Sequence, residues 1–293
     1  MPKGIEPSNL DKVFWPDSGL TKGDLIRYFD AMSGPFLRCV RDRPLTLKRY
    51  PDGIDGFSFF QKNTPNYAPK WVPTVTLRAE SARRDVSYTL CNSKRVLLWL
   101  ANQAAIEFHP WLSRAGHTDQ PDFMVFDLDP PEGKFDLAVE MAFVMKEVLA
   151  EVCLSGAAKT SGAKGVHLYV PLRRGATFPT VRELAGRLGR RAEAREPTKS
   201  TTEIAKAGRA GRVFIDTNRN AGGQHIVAPY SPRARPGAPV SFPVDWAALG
   251  KVQPGEFTIR TAPGIIERDG DRWRALLPSP QSIARAFRET AEE

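Results

Sequence analysis

The sequence predicts an α/β or α+β fold rather than a strictly doubly wound sheet. Three observations predict it. Short apolar runs end on carboxylates, at Phe123-Met124-Val125-Phe126 and at Val213-Phe214-Ile215-Asp216. Two long stretches, 135–151 and 180–195, carry apolar residues at helical spacing. The two kinds of segment alternate irregularly, without repeat or heptad. At 293 residues and 41% apolar, the chain fits one large domain or two closely packed lobes with a real core.

Thr21 is a good N-cap, and Leu25, Ile26, Tyr28, Phe29 and Met32 follow on one helical face. Pro35 kinks or interrupts that segment. Residues 45–62 alternate as strands around the turn Pro51-Asp52-Gly53. Val96–Leu100 leads into a helix or strand ending at Phe108-His109-Pro110-Trp111. The buried strand at 123–126 stops at Pro130-Pro131, and a helix over 135–151 buries Leu137, Val139, Met141, Val144, Met145, Val148 and Leu149. Val166–Val170 is a strand after a glycine turn, 180–195 an Arg-rich amphipathic helix and Val213–Asp216 a third buried strand. The Pro-punctuated tail has helical signal at Pro243–Leu249 and near 280–292.

No stretch approaches the roughly 20 apolar residues of a membrane span, and the N-terminus lacks the apolar core of a secretory signal. Three scattered cysteines, Cys39, Cys91 and Cys153, argue against a disulfide framework or zinc cluster and for a reducing cytosol. A net charge of +9 points to a polyanionic partner, unless it reflects only an Arg-rich composition.

The sharpest chemical feature is Asp127-Leu128-Asp129 at a strand end. Residues i and i+2 of a strand share a face, so the two carboxylates project together and repel unless a cation lies between them. A divalent ion with oxygen ligands supplies that charge. With a third carboxylate, for which Asp216 is the candidate, such a group holds two metals about 3.5–4 Å apart for phosphoryl transfer. The plain alternative is a pair of surface aspartates before a proline turn. Thr160-Ser161-Gly162-Ala163-Lys164-Gly165-Val166-His167 reads as a flexible loop whose N–H groups, Ser161 hydroxyl and Lys164 charge suit phosphate, with His167 in reach. It reads equally as an ordinary glycine turn with His167 packed inside. Arg219 and Arg233 flank the third carboxylate and could clamp a triphosphate, or be solvated loop arginines. Lys12, Lys22, Lys48 and Arg49 are interspersed with Phe14, Trp15, Tyr50, Phe59 and Phe60, a mixture that suits a strand or nucleic-acid end. Core packing accounts for most of these aromatics as well.

Taken together, these motifs resemble the polymerase domain of bacterial ligase D, of the archaeo-eukaryotic primase superfamily. Phe126-Asp127-Leu128-Asp129-Pro130, Thr160-Ser161-Gly162 through Lys164-Gly165-Val166-His167, and Ile215-Asp216 carry the likeness. Asn9–Lys12, Thr21-Lys22, Leu47–Pro51, Phe59–Lys62, His109-Pro110-Trp111 and Ala228–Ser231 support it along nearly the whole chain. The resemblance implies an α+β primase-polymerase core, mixed sheets flanked by helices, occupying 1–293 as one module. It implies that Asp127, Asp129 and Asp216 are catalytic and hold two divalent metals, Mn2+ or Mg2+. Ser161, Lys164 and His167 would bind the incoming NTP, helped by Lys48, His109, Arg219 and Arg233. Lys12 and Lys22 would grip a downstream 5′-phosphate, with Phe59 and Phe60 stacking near that DNA end. The implied reaction is attack of a primer 3′-OH on the α-phosphate, with ribonucleotides preferred, at gaps or breaks. A Ku-type protein and a separate DNA ligase are implied partners of a cytoplasmic, nucleoid-associated, monomeric polymerase that stands alone or is an isolated domain. Gln224 departs from the lysine that ligase-fused members often carry near that position. Two rival functions use some of the same features: a DxD metal-dependent glycosyltransferase and a non-catalytic DNA-end-binding module. The first leaves the phosphate-loop histidine unexplained and the second has no need of three strand-end carboxylates.

Overall fold

The computed structural model describes residue 2, residues 4–79 and residues 84–291. The chain divides into two units: Met1–Gly116 with His225–Phe242 and Gly255–Asp271, and His117–Gln224 with Pro243–Pro254 and Arg272–Glu293.

In the first unit, Thr21 caps the helix Lys22–Ala31 through a reciprocal box: its side chain accepts from Asp24 N while Asp24 accepts from Thr21 N. A second helix, Ser33–Val40, starts at once. Pro35 falls in its first turn, where the missing N–H has no helical partner to lose, so the proline separates two helices instead of kinking one. The ambiguous apolar segment resolves into both alternatives. Ser93 caps the helix Lys94–Asn102, and a left-handed turn at Ala104 leads into the strand Ala105–Pro110. That strand pairs with Leu45–Arg49, which pairs with Phe59–Gln61. Phe29, Phe36 and Phe108 meet edge to face at 5.0–5.2 Å between ring centres, joining helices to sheet. A further antiparallel pair, Thr74–Ala79 with Arg84–Thr89, presents Val86 and Tyr88 to Trp111.

The second unit is built on a six-stranded sheet in the order Ser200–Thr201, Val213–Asp216, Phe123–Asp129, Val166–Pro171, Ala157–Thr160, Pro243–Val244. All neighbours are antiparallel except the first pair. The helices Phe135–Glu151 and Phe178–Arg195 pack on the central strands and on each other. The second begins two residues before the sequence pattern does, because Pro179 is at home in a first turn. Gly189 lets it lie against the sheet, since a Cβ there would meet Thr217 Cγ2 at 3.1 Å and Ile215 Cγ2 at 3.7 Å. Ile215 therefore points to the helices, and by strand alternation Asp216 points to the opposite face. The tail is more broken than its periodicity suggests: Pro243–Val244 is an edge strand before the short helix Trp246–Leu249, and the last helix spans only Ala284–Glu289. No described helix is long and apolar enough to cross a membrane.

Candidate active site

Strand register, not chain proximity, assembles the second unit's site. Asp127 lies opposite Asp216 on one neighbouring strand and opposite His167 on the other, and His167 lies opposite Lys159 on the next. A row Asp216–Asp127–His167–Lys159 thus crosses four strands on one face. Within it, Lys159 Nζ is 2.8 Å from His167 Nδ1, and His167 Nε2 is 3.1 Å from Asp127 Oδ1. Arg219 Nε sits 3.3 Å from Asp216 Oδ2 and 3.8 Å from Asp127 Oδ2. The segment carrying Arg219 is tied down by Asn220, whose buried amide donates to Val125 O at 2.7 Å and accepts from Val125 N at 2.8 Å. Asn220 thereby supplies the strand pairing that Val213–Asp216 stops short of giving.

Charge along the row is uneven. Burial alone would raise the Asp127 carboxyl, but His167, Arg219 and Lys159 outweigh it and hold the group down at about 2. Asp129, one pleat further, is pushed up to about 6 by burial and by the Asp127 charge, with Lys164 only partly opposing. Among the described residues no three His, Cys, Asp or Glu side chains already form a metal-holding set. The donor chemistry nonetheless fits a hard divalent cation: three carboxylates at adjoining positions, offering oxygen donors only.

The glycine loop lies against the same strand. A Cβ on Gly165 would stand 2.3 Å from Leu128 O, so only glycine permits this approach. Ser161 Oγ accepts from Ala163 N at 3.1 Å and Gly165 N at 3.0 Å, which fixes the loop's shape from within. Those two N–H groups, read from sequence as phosphate donors, are therefore engaged by the serine. Lys164 Nζ donates to Pro130 O at 3.1 Å and stands 3.9 Å from Asp129 Oδ1.

Lys48, His109 and Arg233 form a separate group in the first unit. His109 Nε2 is 3.1 Å and Arg233 Nε 3.2 Å from the buried Glu107 carboxylate. Burial would raise Glu107, but the His109 hydrogen bond and the Arg233 charge hold it well below the carboxylate range. Phe59 and Phe60 point to opposite faces of their strand. Phe60 packs near Lys48 Nζ, His109 and His225. Phe59 lies under the Arg49 guanidinium and stacks on the exposed Phe57. Lys12 pairs with Asp52 at 2.5 Å, while Lys22 is buried and donates to Ser8 O at 2.7 Å. The Lys22 ammonium is lowered by burial and by the nearby charges of Lys12 and Arg49. Lys12, Lys22 and Arg49 thus lie within electrostatic reach of one another, with Asp52 beside Lys12.

Sequence reasoning missed Lys159, Glu107, Asn220, Phe57 and His225. The Lys159 signal was available only in retrospect: a lysine in a four-residue strand eight positions before a histidine whose strand pairs with it.

The fold is of the kind found in nucleotidyltransferases of the primase-polymerase class. The polymerase domain from Mycobacterium tuberculosis ligase D, solved in complex with DNA, is similar with a TM-score of 0.87 and 32% identity, covering 94% of this chain and 100% of that one. Residues 21–273 match the family model for the LigD primase-polymerase domain, and the chain belongs to that family. The multifunctional non-homologous end joining protein LigD of Mycobacterium bovis is 34% identical over 273 residues, which cover 90% of this chain and 36% of that protein. The bifunctional end joining protein LigD of Bacillus subtilis is 32% identical over 281 residues, covering 94% of this chain and 45% of that protein. The chain therefore spans less than half the length of these relatives. Family membership sets aside the glycosyltransferase and the purely end-binding readings.

Proposed function

We propose that this chain extends primer 3′ ends at gaps or breaks that carry a downstream 5′-phosphate, with ribonucleotides preferred, in bacterial end joining or gap filling. The observation that carries the reading is the in-register pairing of Asp127 with Asp216, with Asp129 two residues further along the same strand face. These three carboxylates would hold Mn2+ or Mg2+, which supplies positive charge to ease loss of the 3′-OH proton and to offset charge on departing pyrophosphate. Around them, His167, expected from the sequence to bind the triphosphate, instead has its two ring nitrogens at Lys159 and Asp127 and steadies the carboxylate, and Ser161, Lys164 and Arg219 take phosphate oxygens of the incoming nucleotide. The 3′-oxygen attacks the α-phosphorus in line, a P–O bond forms, and the bond to the β-phosphate oxygen breaks. Lys48, His109 and Arg233 make a further cationic set of the same chemical taste, with Phe60 as a stacking surface. The cluster of Lys12, Lys22 and Arg49, with Phe57 and Phe59 beside it, suits the 5′-phosphate of an interrupted strand. Ribonucleotide preference, action of 1–293 as one module, and work alongside a Ku-type protein and a separate ligase follow from the family resemblance.

The test is primer extension on a short-gapped duplex, with and without the downstream 5′-phosphate, comparing rNTPs and dNTPs in Mn2+ and in Mg2+. Templated extension that favours rNTPs and rises with the phosphate is expected. DNA binding without extension under every condition would overturn the reading.

A further inference from the structure

We propose that Lys159 is a positioning residue of the site: its Nζ donates to Nδ1 of His167, which keeps the imidazole proton on Nε2, aimed at Asp127 Oδ1. The contact is 2.8 Å, both side chains are buried, and the two residues are cross-strand partners, so geometry and register enforce it together. An ammonium has three N–H donors and no acceptor, and a neutral imidazole that accepts at one ring nitrogen carries its proton on the other. His167 is thereby committed as a donor towards Asp127, 3.1 Å away. With the opposite tautomer an imidazole lone pair would face a carboxylate oxygen, and Asp127 would have to turn from the line it shares with Asp216.

Stability alone is a poor reason to place a lysine there. Lys159 is fully buried, and withdrawing an ammonium from water is costly unless its new surroundings compensate. The Tyr169 ring, 5.6 Å from Nζ, and the Asp127 charge supply part of that compensation. A buried cation that orients a histidine that orients a carboxylate is the arrangement by which ligand geometry is set from behind. Only the effect on turnover rests on the polymerase reading; the tautomer does not.

The experiment is long-range 1H–15N NMR of the histidine side chains in the metal-free protein, with His167 assigned by His167→Gln, in wild type, Lys159→Met and Lys159→Arg. The proton is expected on Nε2 in wild type and in Lys159→Arg, and a mixed or Nδ1-protonated ring in Lys159→Met. Steady-state extension should then show kcat/KM for the nucleotide falling about 10- to 100-fold in Lys159→Met with DNA affinity kept, and recovering in Lys159→Arg. A wild-type His167 protonated on Nδ1 overturns the assignment, whether or not the variants fold. So does a folded Lys159→Met with unchanged tautomer and kinetics. The expected tautomers in a protein that extends no primer would overturn the polymerase reading and leave the role of Lys159 standing.

Discussion

Glu107 and Asp127 are both buried carboxylates with a histidine nitrogen 3.1 Å away and an arginine alongside, yet their surroundings balance differently. Glu107 is the one acid of its group and meets His109, Arg233 and the Ala234 N–H. Asp127 shares His167 and Arg219 with a sheet face that also carries Asp216 and Asp129. The first group is neutralised from within and serves to hold its cations in place. The second crowds three carboxylates onto one face, where burial and then the Asp127 charge raise Asp129, so a cation from outside would be favoured there.

The contrast can be broken in four ways. Asp127→Asn should cut extension by about a thousandfold or more while DNA affinity changes little, because it removes a group needed in the transition state; full activity in the variant would end the assignment. Glu107→Gln should instead cost folding stability, on the order of 3 kcal/mol, by leaving Arg233 and His109 facing a neutral group, and urea unfolding reads this directly. The two sites should also answer pH in opposite senses in metal-free protein. Glu107, held down in the fold, contributes stability above its ordinary 4.5 that disappears as pH falls through and below that value. Asp129, raised to about 6, favours the fold while protonated and erodes it as pH climbs from about 4 to 6. Asp129→Asn should therefore be more stable than wild type above pH 6, by on the order of 1 kcal/mol given its partial exposure, and saturating Mn2+ should erase the difference. Urea midpoints between pH 4 and 8 that run parallel in both proteins would refute this. The smallest effect is Arg219→Ala: by removing a guanidinium that stands between Asp216 and Asp127, it should tighten Mn2+ binding a few-fold in nucleotide-free protein (about 1 kcal/mol). Weaker binding would show that Arg219 assists the ion instead.

Much of this was legible in the sequence because it is local. Phe123–Asp129, the helix 135–151 and Val213–Asp216 announce themselves by apolar runs and period, and the carboxylates mark the strand ends. Asp216 could be named as the third acid because it ends another apolar strand. Its pairing with Asp127 could not, since register is a property of two strands far apart in the chain. Lys159 was invisible for the same reason: nothing in Ala157-Ala158-Lys159-Thr160 signals burial. Glu107 hid in an apolar run, where a lone acid reads as exposed. The pair Thr74–Ala79 and Arg84–Thr89 was overlooked although Val75, Leu77, Val86 and Tyr88 alternate, because polar residues dilute the signal. Phe59 and Phe60 read as one aromatic patch until strand alternation divided them between two clusters.

The charged row also bears on how the second unit folds. A slip of one residue between the strands of Asp127 and Asp216 would swap the faces of one strand and press carboxylates against the helices, where Phe126, Leu128 and Ile215 belong. Burying even one such group without a partner costs several kcal/mol, a large share of a typical domain's net stability. The same aspartates that would serve chemistry thus proofread the assembly of the sheet, and a variant with all of them made apolar would lose its penalty for misaligned strands.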